Sequence, residues 1–229
     1  MIYTACAIEM EFVVRTRDPP CDDGSTWKVR MTADEGSAFD FASHEKAAVA
    51  DYLKVQGFYG DLASVVGRVI KECVGKRQIK VHSVDHRAKT ADSFGRKSAL
   101  PSELNPGLPK YPEPLKQITD LAGVRVITYF PNTLAEIDSL WMDEFEIVER
   151  SDKGEELLEE DRFGYHSIHY LLRLKDPRSW LAEYARFVGA IAEVQVRTIL
   201  QHAWAEIEHD IPYKSATMIP SEIRRRFMH

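Results

Sequence analysis

The chain has 229 residues, 44% hydrophobic and 29% charged, with a formal net charge of -6. That length suits one domain with a helical extension and is cramped for two independent cores. The composition excludes a disordered chain or a fibrous repeat, and the charge excludes a protein whose whole surface embraces nucleic acid. No stretch approaches the ~18 apolar residues that span a bilayer, and the first residues lack the basic opening and small-residue cleavage site of a signal peptide. A cytoplasmic protein is therefore predicted. Its three cysteines, Cys6, Cys21 and Cys73, have no metal-like spacing and fit reduced thiols.

In chain order, residues 1–38 mix short apolar runs with a Pro-Pro-Cys-Asp-Asp-Gly turn and predict an arm or hairpin of unassigned role. Residues 39–77 form a helical layer. Apolar positions from Ala47 to Val55 and from Leu62 to Ile70 recur at helical spacing, and Gly57 and Gly60 predict a break between two helices. Residues 78–229 make up the remaining core. It opens with a strand over 78–84, where Ile79 and Val81 alternate with Lys80 and His82, followed by a proline-rich loop over 99–114. Strands are predicted at 121–130, 145–150, 165–174 and 190–197, and helices at 133–142, 178–187 and 198–209, with a further helix from Pro220. The alternation gives an α/β (α+β) fold, a mixed sheet of roughly five strands flanked by helices.

Period-two alternation sorts the polar residues onto faces. On the strand over 190–197, Glu193, Gln195 and Arg197 share one side and Val194 and Val196 the other. On the strand over 165–174, Tyr165, Ser167 and His169 share a side directly after Phe163-Gly164, where a glycine admits close approach and a tyrosine offers a stacking surface. Asp120 stands at the mouth of the strand that carries Arg125 on the face opposite Val124 and Val126. Magnesium takes one or two protein carboxylates together with phosphate oxygens, and Asp120 and Glu193 are the candidate pair.

A basic run between Arg68 and Lys97 holds nine cations against Glu72, Asp85 and Asp92; it ends in Arg87, Lys89, Arg96 and Lys97. Phosphoryl transfer asks for such cations around the equatorial oxygens. No P-loop or kinase glycine-rich loop is present.

Four segments, RAKTADSFGRK (87–97), DLAGVRVI (120–127), FGYHSIHY (163–170) and EVQVRTILQHAWAEIEHDIPYK (193–214), together resemble the synthetase domain of the RelA/SpoT family, which makes the alarmones ppGpp and pppGpp. The resemblance implies a nucleotidyltransferase-like fold and a GTP pyrophosphokinase. Such an enzyme transfers pyrophosphate from ATP to the ribose 3′-hydroxyl of GDP or GTP with Mg2+. It implies that Arg87 and Arg125 sandwich the adenine, that Lys89 contacts the ATP phosphates, and that Ser93 and Lys97 lie in the same phosphate-binding segment. Guanidinium planes suit that stacking. Asp120 and Glu193 would hold the metal, with Glu193 also preparing the acceptor hydroxyl as a general base. Tyr165 would stack on guanine, with His169, Gln195 and Arg197 on the acceptor side.

The chain is too short for the hydrolase and regulatory domains of the long bifunctional members, so it resembles a small alarmone synthetase or a catalytic fragment that cannot degrade its own product. Small members assemble through terminal helices, which implies a homo-oligomer. The alternative acceptors are the 3′ end of tRNA, held by the basic run as in some toxic members, or an adenine nucleotide. His202, Glu206 and His209 share a helical face and imitate a zinc site, but HExxH is missing. The expectation is that this helix packs on the sheet with His202 and Trp204 supporting Glu193.

Overall fold

The computed structural model describes residues 39–152 and 167–210. Helix α1 spans Phe41–Lys76 without a break, capped by Asp40, whose carboxylate accepts the Ser43 N–H at 3.0 Å. The expected break at Gly57 and Gly60 is absent. A Cβ at Gly57 would meet open space and one at Gly60 only the Ala88 Cβ at 3.8 Å, so the helix tolerates both glycines. Then follow β1 (Val81–Ala88), α2 (Ala91–Ser98), the short α3 (Pro114–Gln117), β2 (Ala122–Thr128), α4 (Thr133–Glu144) and β3 (Phe145–Asp152). After the undescribed residues come β4 (Ile168–Leu174), α5 (Asp176–Ser179), β5 (Ala192–Thr198) and α6 (Ile199–Asp210).

Two further expectations are corrected. The first strand runs over Val81–Ala88 rather than 78–84, because it is a sheet edge with polar residues on both sides and offers no clean alternation. The helix expected over 178–187 is reduced to α5 and a 3₁₀ turn at Ala185–Phe187. Among the described side chains of that segment only Phe187 is buried, whereas Trp180 and Leu181 are exposed, so they offer no apolar stripe to hold a longer helix in place. The arm at 1–38 and the helix from Pro220 lie outside the described residues.

The described strands form a mixed sheet of order β1-β2-β5-β4-β3. Its central pair, β2 and β5, is parallel and the other pairs are antiparallel. One face carries Val84, Val124, Val126, Val194, Val196, Ile168, Tyr170 and Leu172 and is buried against the second half of α1 and against Ile137, Leu140 and Trp141 of α4. Burying side chains of this size stabilises by roughly 1.5–3 kcal/mol each, which is why α1 and α4 stay on that face. Gly67 lets α1 approach β1 closely, since a Cβ there would stand 3.0 Å from the His86 ring. A second, smaller cluster of Ala48, Tyr52, Phe94, Ile118 and Leu121 joins the first half of α1 to α2 and to the entrance of β2. The opposite sheet face bears the polar residues, and α6 lies against β2 and β5. No helix among the described residues is long and apolar enough to cross a membrane.

Candidate active site

The polar sheet face is ordered by register. Arg87, Gly123 and Glu193 lie in one row across β1, β2 and β5; Asp85, Arg125, Gln195 and His169 form the next row across β1, β2, β5 and β4. Side chains in such rows project to the same side of the sheet, so two rows bring both arginines, two carboxylates and an amide together from four strands. They border a cleft of about 620 Å³, open to solvent, lined by Asp85, His86, Arg87, Lys89, Asp120, Gly123, Val124, Arg125, Glu193 and Gln195.

Of the residues singled out in the sequence, Arg87, Lys89, Asp120, Arg125, Glu193 and Gln195 line this cleft directly. Lys97, His169 and Arg197 stand behind them, each tied to a lining group. Asp120 receives Lys89 Nζ at 2.6 Å on one carboxylate oxygen and Lys97 Nζ at 3.1 Å on the other. Burial pushes the Asp120 carboxyl up, but the two ammonium groups outweigh it and hold the carboxyl below the usual carboxylate range. Lys97 reaches it from α2, whose first turn is capped by Thr90.

Glu193 is held equally firmly. His169 Nδ1 lies 2.7 Å from one of its oxygens and Gln195 Nε2 donates to the other at 3.3 Å. Gln195 in turn accepts from Arg197 at 3.0 Å, and Ser167 Oγ lies 2.8 Å from His169 Nε2. With His169 neutral, Nδ1 donates to the carboxylate and Nε2 accepts from the serine hydroxyl, so every member of the chain has a consistent role. The hydrogen bonds on Glu193 thus come from His169 and Gln195 rather than from His202. His202 sits instead 3.6 Å from Glu206, which also approaches Arg125 at 3.6 Å. Burial and the nearby Arg125 lower the His202 pKa.

Ser93 is not among the lining residues. It sits in the first turn of α2, where its N–H and hydroxyl both meet Thr90, one helical turn ahead of Lys97. Tyr165 lies outside the described residues, and so does the His209 side chain of the zinc-like grouping. Sequence reasoning missed Asp85, His86 and Gly123 as cleft residues. Extending the first strand by four residues puts Asp85 and Arg87 on one face, which is the signal that was available.

Of the three carboxylates that line the cleft, Asp120 and Glu193 are a donor pair that suits a hard cation, with open space for water and phosphate oxygens. No grouping of three or more His, Cys, Asp or Glu side chains that could hold a metal ion occurs among the described residues.

Residues 86–218 match the sequence pattern described as the region found in RelA / SpoT proteins. Among curated relatives, GTP pyrophosphokinase YwaC from Bacillus subtilis (strain 168) is 28% identical over 109 residues, covering 47% of this chain and 49% of the relative. GTP pyrophosphokinase YjbM from the same organism is 25% identical over 114 residues, covering 49% and 50%. The chain thus spans about half the length of these relatives. Of solved structures, small alarmone synthetase 1 from Bacillus subtilis bound to its product pppGpp superposes with a TM-score of 0.55 at 20% identity, covering 78% of this chain and 88% of that one. Small alarmone synthetase 2 from the same organism gives 0.56 at 19%, covering 77% and 88%. At this identity the likeness establishes the fold.

Proposed function

Because the chain belongs to the RelA/SpoT family, we propose that it is a (p)ppGpp synthetase acting in the cytoplasm, which transfers pyrophosphate from ATP to the 3′-hydroxyl of GDP or GTP. The observation that carries this reading is that Asp120 and Glu193 border one cleft together with Arg87, Lys89 and Arg125. The names of the two curated relatives and the pppGpp bound by one structural neighbour support it.

In this reading the acceptor 3′-oxygen attacks the β-phosphorus of ATP, the bond from that phosphorus to the α,β-bridging oxygen breaks, and AMP departs with the electron pair. Glu193 takes the hydroxyl proton, and the His169 and Gln195 hydrogen bonds hold its carboxylate in place for that transfer. Arg87 and Arg125 flank the adenine, while Lys89, Lys97 and Ser93 serve the triphosphate, where fixed cations stabilise charge spread over the equatorial oxygens. Tyr165, His169, Gln195 and Arg197 form the acceptor side. Asp120 and Glu193 would hold Mg2+, which when bound neutralises phosphate charge and orients the transferred group.

The tRNA acceptor is not favoured. Arg87 and Lys89 line the cleft and Lys97 pairs with Asp120, while Arg77 pairs with Asp143 and Arg96 with Asp92, so the basic run is divided rather than presented as one face. The test is to incubate the purified protein and Mg2+ with ATP labelled on the γ-phosphate, adding GDP, GTP, GMP, an adenine nucleotide or tRNA separately. Label is expected in a guanosine 3′-pyrophosphate, with AMP released in equal amount. Label recovered only in tRNA, or released only as free phosphate, would overturn the assignment.

A further inference from the structure

Lys89 is fixed by a part of the molecule that lies outside the matched family segment. It occupies the turn between β1 and α2, and its main chain is pinned on both sides. The Lys89 N–H donates to the Leu121 carbonyl at 2.9 Å, at the entrance of β2. Its own carbonyl accepts two side-chain donors from α1, Tyr52 Oη at 2.6 Å and Gln56 Nε2 at 3.0 Å. Those residues are one helical turn apart and so share a face, and together they occupy both lone pairs of one carbonyl oxygen.

Two donors on one carbonyl are more than the packing of α1 requires. Tyr52 is wholly buried, and its ring stacks on Phe94 of α2 at 4.4 Å between centroids, so the apolar contact exists without the hydroxyl. Burial, with smaller contributions from Tyr59 and Asp120, pushes the Tyr52 phenol up to about 12, so it stays protonated and remains a donor throughout the neutral range. From the carbonyl so fixed, the lysine stem reaches the cleft, where Nζ meets Asp120 at 2.6 Å. An ammonium on a flexible four-carbon stem samples many rotamers, and fixing the point from which it departs narrows the volume it samples.

We propose that Tyr52 and Gln56 are positioning residues for the donor side of the reaction: holding the Lys89 carbonyl sets where its ammonium stands between Asp120 and the phosphates of ATP. This rests on the reading of Lys89 as a phosphate contact. The donor site then extends into α1, which precedes the matched residues 86–218.

The experiment uses the full chain with Tyr52→Phe, Gln56→Leu and the pair, each made in the native background and in Lys89→Met. Binding of a non-cleavable ATP analogue and of GDP is measured by calorimetry, alongside the melting temperature. The pair is expected to weaken the ATP analogue about tenfold while leaving GDP within about twofold. In the Lys89→Met background the same pair should weaken the analogue no further, because the ammonium they aim is gone. An equal loss in both backgrounds, an equal loss for both nucleotides, or no loss at all would overturn the proposal. If the pair does not fold, Gln56→Leu alone, at a half-buried position, carries the same comparison with an expected loss of about threefold. A crystal structure of the variant without nucleotide supplies an independent reading. Lys89 Nζ is expected beyond about 4 Å from Asp120, and a retained hydrogen bond overturns the placement. A native chain that binds neither nucleotide defeats the assigned reaction, whereas the lysine's placement is still decided by that crystal structure.

Discussion

Gly123 of β2 stands level with Glu193 across the parallel ladder and level with Arg87 across the antiparallel one. Between a guanidinium and a carboxylate, the sheet thus presents a position with no side chain, and the cleft has a bare floor there.

A Cβ at Gly123 would meet only the Arg87 carbonyl oxygen, at 3.6 Å, which is an ordinary contact. Gly123→Ala should therefore fold and gain about 0.5–1 kcal/mol, since glycine is unfavourable inside a strand. The added methyl group occupies the floor, so affinity for an ATP analogue should fall on the order of tenfold. A thermal melt and a nucleotide titration on the same sample separate the two effects; unchanged affinity would remove Gly123 from the site.

Glu193→Gln keeps the shape of the side chain and removes its charge. If Glu193 is the general base, kcat should fall by roughly 10²–10⁴ with the melting temperature little changed. Rapid-quench measurement of AMP release checks this, and a variant with native kcat would assign proton removal to another group.

Gly95 of α2 packs directly against α1. A Cβ there would stand 2.8 Å from both Glu45 Oε1 and Val49 Cγ2. The glutamate tip can swing aside, but the valine methyl is fixed by its helix. Gly95→Ala should accordingly destabilise by about 1–3 kcal/mol in a urea titration, with Lys97 on the same helix displaced.

Lys89 and Lys97 hold the Asp120 carboxyl below its ordinary range against the opposing effect of burial. A carboxyl whose folded pKa lies below its unfolded value contributes stability that is complete above the unfolded value, near pH ~3.9, and is lost as pH falls through the folded one. Melting temperatures of the native chain and of Asp120→Asn should differ at neutral pH, with the variant lower, and converge below about pH 4. Curves that stay parallel over the whole range would show that the pairing adds no pH-dependent stability.

The polar face was legible because β5 and β4 alternate cleanly: Val194 and Val196 against Glu193, Gln195 and Arg197, Ile168 and Tyr170 against His169. Edge strand β1 was misplaced because His82, Asp85, His86 and Arg87 are all exposed, leaving little apolar period to read. Gly57 and Gly60 misled because a glycine costs a helix only about 1 kcal/mol, a penalty that the buried run from Leu62 to Val74 readily offsets. The hydrogen bonds from α1 to the Lys89 carbonyl involve residues 33 and 37 positions away, a pairing that no local pattern encodes.

The unbroken α1 contributes to both hydrophobic clusters, and they are unequal in size. The larger one secures the sheet, whereas the smaller one, around Tyr52 and Phe94, secures the turn that presents Lys89. Heating should therefore abolish the proposed activity before it melts the protein: the first half of α1 can loosen while the sheet still reads as native, and lost turnover would report a released turn rather than the loss of the fold.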